Sequence, residues 1–312
     1  IFLMADEKKL EKIIALAKRR GFVYPSSEIY GGYASVYDFG PRGVELKNNI
    51  KKAWWKEMVH QRTDIVGLDS AIFMHPKTWE ASGHVEGFSD PLVECKKCHH
   101  RFRSDHLKEE GKTTCPDCSG ELTEEKNFNL LVEAKMGVTD EKKSKAYLRG
   151  ETCQGIYLNF QNVLNSTRQK IPFGIAQIGK AFRNEITPKN FIFRTREFEQ
   201  MEMQFFIEPK EKEADKFFEY WKEQRLNWYL NLGIDKKNLR FRAHAEDELV
   251  HYAKAAEDIE YNTSFGGWKE FEGVHNRGDW DLSRHSEYSG KNLGYLEQDG
   301  TRVTPWIIET SA

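Results

Sequence analysis

The stretch from Ala176 to Phe206, AQIGKAFRNEITPKNFIFRTREFEQMEMQFF, limits what this chain can fold into more than any other. Its apolar and polar residues alternate at period two on either side of a loop, which predicts strand, loop, strand. On the first strand Gly179, Ala181, Arg183 and Glu185 share one face, and Ile178, Lys180 and Phe182 share the other. Two very small residues beside an arginine predict an open floor with a fixed cation next to it. On the second strand Arg196, Phe198, Gln200, Glu202 and Gln204 line one face, while Met201, Met203 and Phe205 line the other. Arginine, acid, amide and ring groups therefore converge over the floor, and the opposite face supplies core. Such a surface suits a small polar substrate together with an anion, held on rigid sheet rather than on a loop.

The rest of the chain supplies the scaffold. With 312 residues it can bury a large core. Charged residues make up 31% but nearly cancel, at net −2, which argues against a general polyanion-coating protein and still permits a local basic patch for nucleic acid. No apolar run is long enough to cross a bilayer and no signal-peptide pattern is present, so a protein of the cytoplasm, without membrane contact, is expected. Met4 reads as the natural start, with Ile1, Phe2 and Leu3 as an upstream remnant.

Helices are predicted at Asp6 to Arg20, with Asp6 as N-cap and Gly21 as stop, and from about Val44 to His60, with Leu46, Ile50, Trp54 and Met58 inward. Others are expected at Glu211 to Leu232 and from about Ala245 to Ala256. Apolar strands are expected at Ile65 to Phe73, ended by His75-Pro76, and at Val303 to Glu309. Strands in hairpin-like neighbours with flanking helices indicate α+β, an antiparallel sheet flanked by helices. No Gly-rich phosphate loop of either common kind occurs.

Between Cys95 and about Lys126 the composition shifts to Cys, His, Lys and Glu, which marks an insertion. Cys95-x-x-Cys98 and Cys115-x-x-Cys118 have the spacing of a four-cysteine zinc ribbon, each pair offering two thiolates to a tetrahedral ion. In a reducing compartment disulfides are the weaker account. Four sulfur ligands would make the metal structural rather than catalytic. His99, His100 and His106 are read as solvent-facing, and Cys153 as core packing.

The Ala176–Phe206 stretch resembles motif 2 of the class II aminoacyl-tRNA synthetases, an antiparallel pair of the form F-R-x-E, loop, R-x-x-E-F. Further segments narrow the resemblance to glycyl-tRNA synthetases of the homodimeric type. They are RGFVYPSSEIYGG at Arg20–Gly32, YDFGPRG at Tyr37–Gly43, LRGETCQG at Leu148–Gly155, DIEY at Asp258–Tyr261, EGVHNRGDWDL at Glu272–Leu282 and PWIIETSA at Pro305–Ala312. Their order and spacing carry the resemblance nearly end to end. It implies a class II catalytic region in three parts: residues 1–94 with motif 1, whose helix and strand form the dimer interface in the family, a zinc-ribbon insertion at 95–126, and a core with motif 2 at 127–312.

The resemblance also implies the chemistry: glycine and ATP give glycyl-adenylate and pyrophosphate, and the glycyl group passes to tRNA(Gly). Arg183 would stabilise charge on the α-phosphate, with Glu185 as its catalytic neighbour; an isolated R-x-E is also an ordinary edge-strand ion pair. Asn184, Phe193, Arg194, Thr195, Arg196, Glu197 and Phe198 would surround ATP, joined by Glu270 and Phe271, with acidic groups holding Mg2+ between phosphate oxygens. Glycine has no side chain, so recognition must grip its ammonium and close the space beyond Cα. Glu151, Glu202 and Glu309 are the family's positions for that task, with Ser311 on the face of Glu309. Phe198, Glu199, Gln200 and Met201 would complete the pocket. Arg103 and Arg277 would orient substrate or acids, a structural salt bridge being an equal reading of Arg277. His84, His244, His251 and His275 form no evident base or metal set, and activation needs no general base because the substrate carboxylate is already the nucleophile.

Three departures from the family accompany these matches. Gly150 stands where proline is usual, which would loosen the chain before Glu151, and Cys153 stands where alanine is usual. Motif 3, expected directly after Ala312, and an anticodon-binding domain are not in the sequence, so a truncated or incompletely represented chain is expected. A non-catalytic class II relative that binds RNA or a partner protein is the alternative reading.

Overall fold

The computed structural model describes residues 2–137, 144–185, 191–244, 254–264, 267–297 and 299–312. A seven-stranded sheet organises them: β1 Ile65–Gly67, β2 Phe173–Phe182, β3 Glu197–Ile207, β4 Leu239–Ala243, β5 Ala255–Thr263, β6 Gly267–Gly278 and β7 Trp306–Ser311. Their spatial order is β4-β5-β6-β7-β3-β2-β1. All pairings are antiparallel except that β1 runs parallel to β2, so the sheet is mixed at one edge. Four helices position the site: α1 Pro41–Trp55, α2 Cys153–Thr167, α3 Glu211–Asn231 and α4 Trp280–Ser289.

Strict alternation sorts the central strands into two faces. Ala176, Met203, Phe205, Val274 and Ile308 join Trp54, Met58 and Trp221 in one apolar cluster beneath α1 and α3. Burying that many large side chains is the main favourable term, at about 25 cal/mol per Å2 of apolar surface. On the other face Phe173, Ile175, Phe206 and Ile307 pack against Ile156, Tyr157, Phe160 and Val163 of α2. Those α2 positions fall at helical spacing, which is why one side of α2 is buried along its length. Farther along the same sheet face the residues turn polar: Gln177 and Gly179 on β2, Gln200, Glu202 and Gln204 on β3, Glu309 on β7. One face of one sheet thus changes from core to site without a break in register.

Several expectations are corrected. The first helix runs Phe2–Arg19, so Asp6 lies inside it rather than capping it. Of the four residues expected inward on α1 and the π-helical turn Lys56–His60 that continues it, Trp54 and Met58 are buried, but Leu46 is 52% exposed and Ile50 36%. Only the last turns of this helix reach the apolar cluster. Ile50 instead borders a cavity of about 250 Å3 shared with Tyr37, Phe39, Lys47, Ile192 and Met201. The predicted strand Ile65 to Phe73 splits, because Phe73–Met74 pairs in a separate small sheet with Ser144–Leu148. Most of the helix expected at about 245–256 lies outside the described residues; its last two, Ala255 and Ala256, open β5.

The cysteine-rich segment forms its own three-stranded sheet from Ser89–Glu94, Arg101–Arg103 and Lys126–Asn129. Among the described residues no helix is long and apolar enough to cross a membrane.

Candidate active site

Three carboxylates meet on the polar end of the sheet face. Glu202 comes from β3 and Glu309 from β7, while Glu151 lies just before α2; all three are buried. Oxygens of Glu202 and Glu309 and the thiol of Cys153 lie within 4.8 Å of one another. Three donors this close could share one small cationic group.

The surroundings make the three acids unlike. Glu309 accepts from Gln204 Nε2 at 2.9 Å and Arg277 Nη1 at 2.9 Å, and its Oε1 lies 2.7 Å from His275 Nδ1. Burial alone would raise its pKa, but the Arg277 charge and His275 hold it at about 2. Burial likewise opposes ionisation of Glu151, yet His84, with Nε2 3.2 Å from Oε1, and then Arg277 hold it well below the usual range. Glu202 accepts from two hydroxyls, Thr152 Oγ1 on Oε2 and Ser311 Oγ at 3.0 Å on Oε1. Burial, then the neighbouring charges of Glu309 and Glu151, push it up to about 8. Burial and the same acids raise the Cys153 thiol, which donates to Glu151 Oε1 at 3.0 Å.

Arg183 follows the end of β2 and extends the ladder by one bond, from its backbone N–H to the Arg196 carbonyl. Its Nε donates to the Gly150 carbonyl at 3.1 Å, and its guanidinium lies 5.2 Å from the ring centres of both Phe88 and Phe198. A carbonyl on one edge and two rings fix the cation before any anion arrives. Glu185 is buried, its carbonyl accepting from Arg196 Nε and its carboxylate 3.9 Å from Arg194. The Asn184 backbone N–H bonds the Leu130 carbonyl, Thr195 donates to the Glu197 carbonyl, and Phe193 and Arg194 are exposed at the loop.

The expected open floor is occupied. The buried Arg149 guanidinium crosses Gly179, donating from Nε to the Lys180 carbonyl at 2.6 Å and from Nη1 to the Ser70 carbonyl at 2.8 Å. A methyl on Gly179 would sit 2.1 Å from Arg149 Nη2. Glycine is needed there because a cation lies on it. The sequence signal was the small residue itself, which was read as open space.

Five other assignments fall away from the pocket. Glu197, Glu199 and Met201 occupy the odd positions of β3 and face α1: Glu197 pairs with Lys180, Glu199 with Lys47 and Lys51, and Met201 packs on the apolar cluster. Phe271 stacks on Tyr261 at 4.9 Å near Tyr229, on the helix side. A bulge there, where Ile259 pairs Glu272 but Glu260 pairs Glu270, breaks the alternation. It leaves Glu270 within electrostatic reach of Arg183 and His275. Arg103 is held in the cysteine-rich sheet by Asp90 at 2.9 Å and Asp105 at 2.6 Å.

Gln200, Ser311 and Arg277 do join the acids. Gln200 Oε1 accepts from the Thr152 N–H, and Arg277 grips Asp281 with two nitrogens as well as Glu309. The histidines His84 and His275, dismissed as a set, each hold one pocket acid. Nothing in their sequence spacing pairs them with Glu151 and Glu309.

The four thiols outside the site form a compact group, with Cys95 and Cys118 sulfurs 3.5 Å apart and Cys98 and Cys115 sulfurs 3.6 Å apart. A zinc–sulfur distance of about 2.3 Å sets the edge of an S4 tetrahedron at roughly 3.8 Å. The two loops repeat one another. His99 N–H bonds the Cys95 carbonyl and Ser119 N–H the Cys115 carbonyl, both at 2.9 Å, with His99 and Ser119 both left-handed. Gly120 follows because a Cβ there would lie 2.9 Å from Cys95 Sγ. The donor set therefore fits a four-coordinate thiophilic ion.

The mixed sheet, with an arginine-bearing strand pair over buried acids, defines the core of a class II aminoacyl-tRNA synthetase. The family model for the tRNA synthetase class II core domain (G, H, P, S and T) matches residues 132–311. A prolyl-tRNA synthetase of Giardia lamblia, solved with prolyl-adenylate, shares the fold at TM-score 0.68 over 98% of this chain and 51% of that one, at 14% identity. Among curated proteins, the glycine–tRNA ligase of Treponema denticola is 59% identical over 99% of this chain and 69% of its own length. Those of Treponema pallidum and Streptomyces coelicolor are 56% and 52% identical over 97% of this chain and 66% and 70% of their own lengths. The chain belongs to the glycine–tRNA ligase family and spans about two thirds of the length of these relatives.

Proposed function

We propose that this chain is the catalytic region that joins glycine to ATP and passes the glycyl group to tRNA(Gly). The observation that carries the reading is the buried trio Glu151, Glu202 and Glu309 beside an immobilised Arg183. The trio would receive the substrate ammonium, with Glu202 releasing its proton to solvent as the cation enters. A carboxylate oxygen of glycine then attacks the α-phosphorus of ATP, the bond to the β-phosphate oxygen breaks, and pyrophosphate leaves. Arg183 stabilises the charge that grows on the phosphoryl oxygens. In the second step a terminal ribose hydroxyl of tRNA attacks the glycyl carbonyl and AMP departs.

Selectivity follows from space. The donor atoms of Cys153, Glu202 and Glu309 lie within 4.8 Å of one another, and a wall this close to the ammonium would collide with a substituent on Cα. Gln200, Ser311 and Arg277 support the acids, and Phe198 and Arg196 would border ATP. Mg2+ accompanying the nucleotide needs only one or two carboxylates besides phosphate oxygens, and Glu270 would be one of them. The four cysteines would hold a structural Zn2+ that shapes the inserted sheet. A homodimer through the motif 1 region and a cytoplasmic location complete the reading. Retention of Arg183 and all three acids favours a ligase over a non-catalytic binder.

Glycine-dependent exchange of labelled pyrophosphate into ATP tests it, with alanine and serine as controls. Exchange with glycine alone, abolished by Arg183→Ala in a folded protein, is the expected result. Equal exchange with all three amino acids would overturn the pocket assignment.

A further inference from the structure

The segment Pro76–Phe88 was assigned no functional role by the sequence, yet it touches both halves of the site. Pro76–Ala81 and His84–Gly87 are short helices packed beside the pocket. His84, buried, sits edge-on between Trp79, 5.1 Å away, and Phe88, 5.0 Å away. Its Nδ1 is 2.8 Å from Ser82 Oγ, and its Nε2 is 3.2 Å from Glu151 Oε1. An ionised carboxylate only accepts, so Nε2 carries the proton, and the serine hydroxyl is placed to serve Nδ1. Two rings and a hydroxyl thus hold the imidazole in place.

The other donors to Glu151 are the Cys153 thiol at 3.0 Å and Gln154 Nε2 at 2.9 Å, and both also fall on Oε1. Gln154 is in turn set by His285, whose Nε2 lies 2.7 Å from Gln154 Oε1. These three contacts of Glu151 therefore gather on one oxygen.

From this geometry we infer that His84 is a positioning residue for substrate selection: it anchors Oε1 of Glu151 so that Oε2 meets the ammonium of the amino acid. The inference rests on the glycine-pocket reading above. Gly150 touches the same segment. A Cβ there would stand 3.3 Å from both Phe88 and Leu131, and the Gly150 carbonyl receives Arg183. Glu151, the turn before it and the ring beneath Arg183 are thus buttressed by one segment. His84 acts on the amine side of the substrate and Phe88 on the phosphate side.

His84→Ala would open a hole beside Phe88 and disturb both sides at once, so two other variants separate the roles. His84→Phe keeps a ring between Trp79 and Phe88 but removes the donor. His84→Gln keeps an amide N–H able to reach Oε1. Pyrophosphate exchange is measured for each, beside Glu151→Gln, with stability followed by urea denaturation. The expected result is that His84→Phe raises the glycine KM about tenfold or more, as Glu151→Gln does, while the ATP KM and kcat change by less than about threefold. His84→Gln recovers most of the loss. A glycine KM untouched by His84→Phe, with Glu151→Gln impaired, would overturn the inference and leave the proposed function standing. Equal losses for glycine and ATP in His84→Phe, unrescued by His84→Gln, would also overturn it and make His84 a packing residue. No effect of Glu151→Gln, or no glycine-dependent exchange by the unsubstituted chain, would overturn the pocket and the inference together.

Discussion

Arg277 Nη1 lies 2.9 Å from Glu309 Oε2, while Nε and Nη2 of the same guanidinium grip both oxygens of Asp281 at 2.8 and 3.0 Å. One buried cation therefore serves a pocket acid and a helix acid, and ties β7 to α4. Removing one partner of such a group leaves the rest charged and unpaired, at a cost of roughly 3–5 kcal/mol. Arg277→Ala is expected to lose about that much in urea denaturation. Arg277→Lys should recover only part, because an ammonium lacks the planar fork.

The pH dependence of stability should carry the mark of Glu202. Its folded pKa, about 8, lies above the unfolded value of roughly 4.3, so between those limits the folded state holds the extra proton. Stability from this group is complete below the unfolded pKa and declines as pH rises toward 8, by up to about 1.4 kcal/mol per pH unit. Glu309, depressed to about 2, acts oppositely: its contribution is present above the unfolded value and lost as pH falls through the acid range. Glu202→Gln should flatten the slope between about pH 5 and 8 in denaturation series, leaving the acid limb. An unchanged slope would assign the proton elsewhere.

Gly179→Ala tests the arginine that lies on the floor. The new methyl would stand 2.1 Å from Arg149 Nη2, and Arg149 is pinned by the Ser70 and Lys180 carbonyls. We expect a stability loss of about 1–3 kcal/mol from overpacking and a clear drop in pyrophosphate exchange.

Glu199→Gln provides the contrast. Glu199 links β3 to α1 through Lys47 at 3.0 Å and Lys51 at 2.9 Å, on the face away from the acids. Its neutralisation should cost about 1 kcal/mol or less and leave the glycine KM unchanged. A raised KM would place Glu199 in the pocket after all.

Metal analysis should find about one zinc per chain, and chelation should release it with loss of structure in the inserted sheet. Hydrogen exchange would then show deprotection within Ser89–Asn129 while β2 and β3 stay protected. A metal-free protein with that segment still protected would exclude a structural ion.

The two-residue period of Ala176–Phe206 and the spacing of four cysteines were legible without a structure, because both are local properties of the chain. A strand alternates its side chains whatever surrounds it, so Gln200, Glu202 and Gln204 were bound to share a face and Met203 and Phe205 the other. The same rule, applied to each residue in turn, would have excluded Glu199 and Met201. Resemblance had grouped them with their neighbours. Resemblance had also grouped Phe271 with Glu270, but a bulge adds one residue to β6 there and the partner strand decides where.

What only the tertiary structure decided is which distant groups meet. His84 and Glu151, His275 and Glu309, and Arg149 and Gly179 come from separate elements, and no periodicity relates them. Their meeting sets the charge of each acid, because a buried carboxylate ionises only beside a cation or a sufficient set of donors. The sequence by itself determined the strand pair within Ala176–Phe206, its two faces and the list of acids. The folded chain determined that two of those acids have cationic partners and one does not, since that depends on burial and on neighbours brought from elsewhere in the chain.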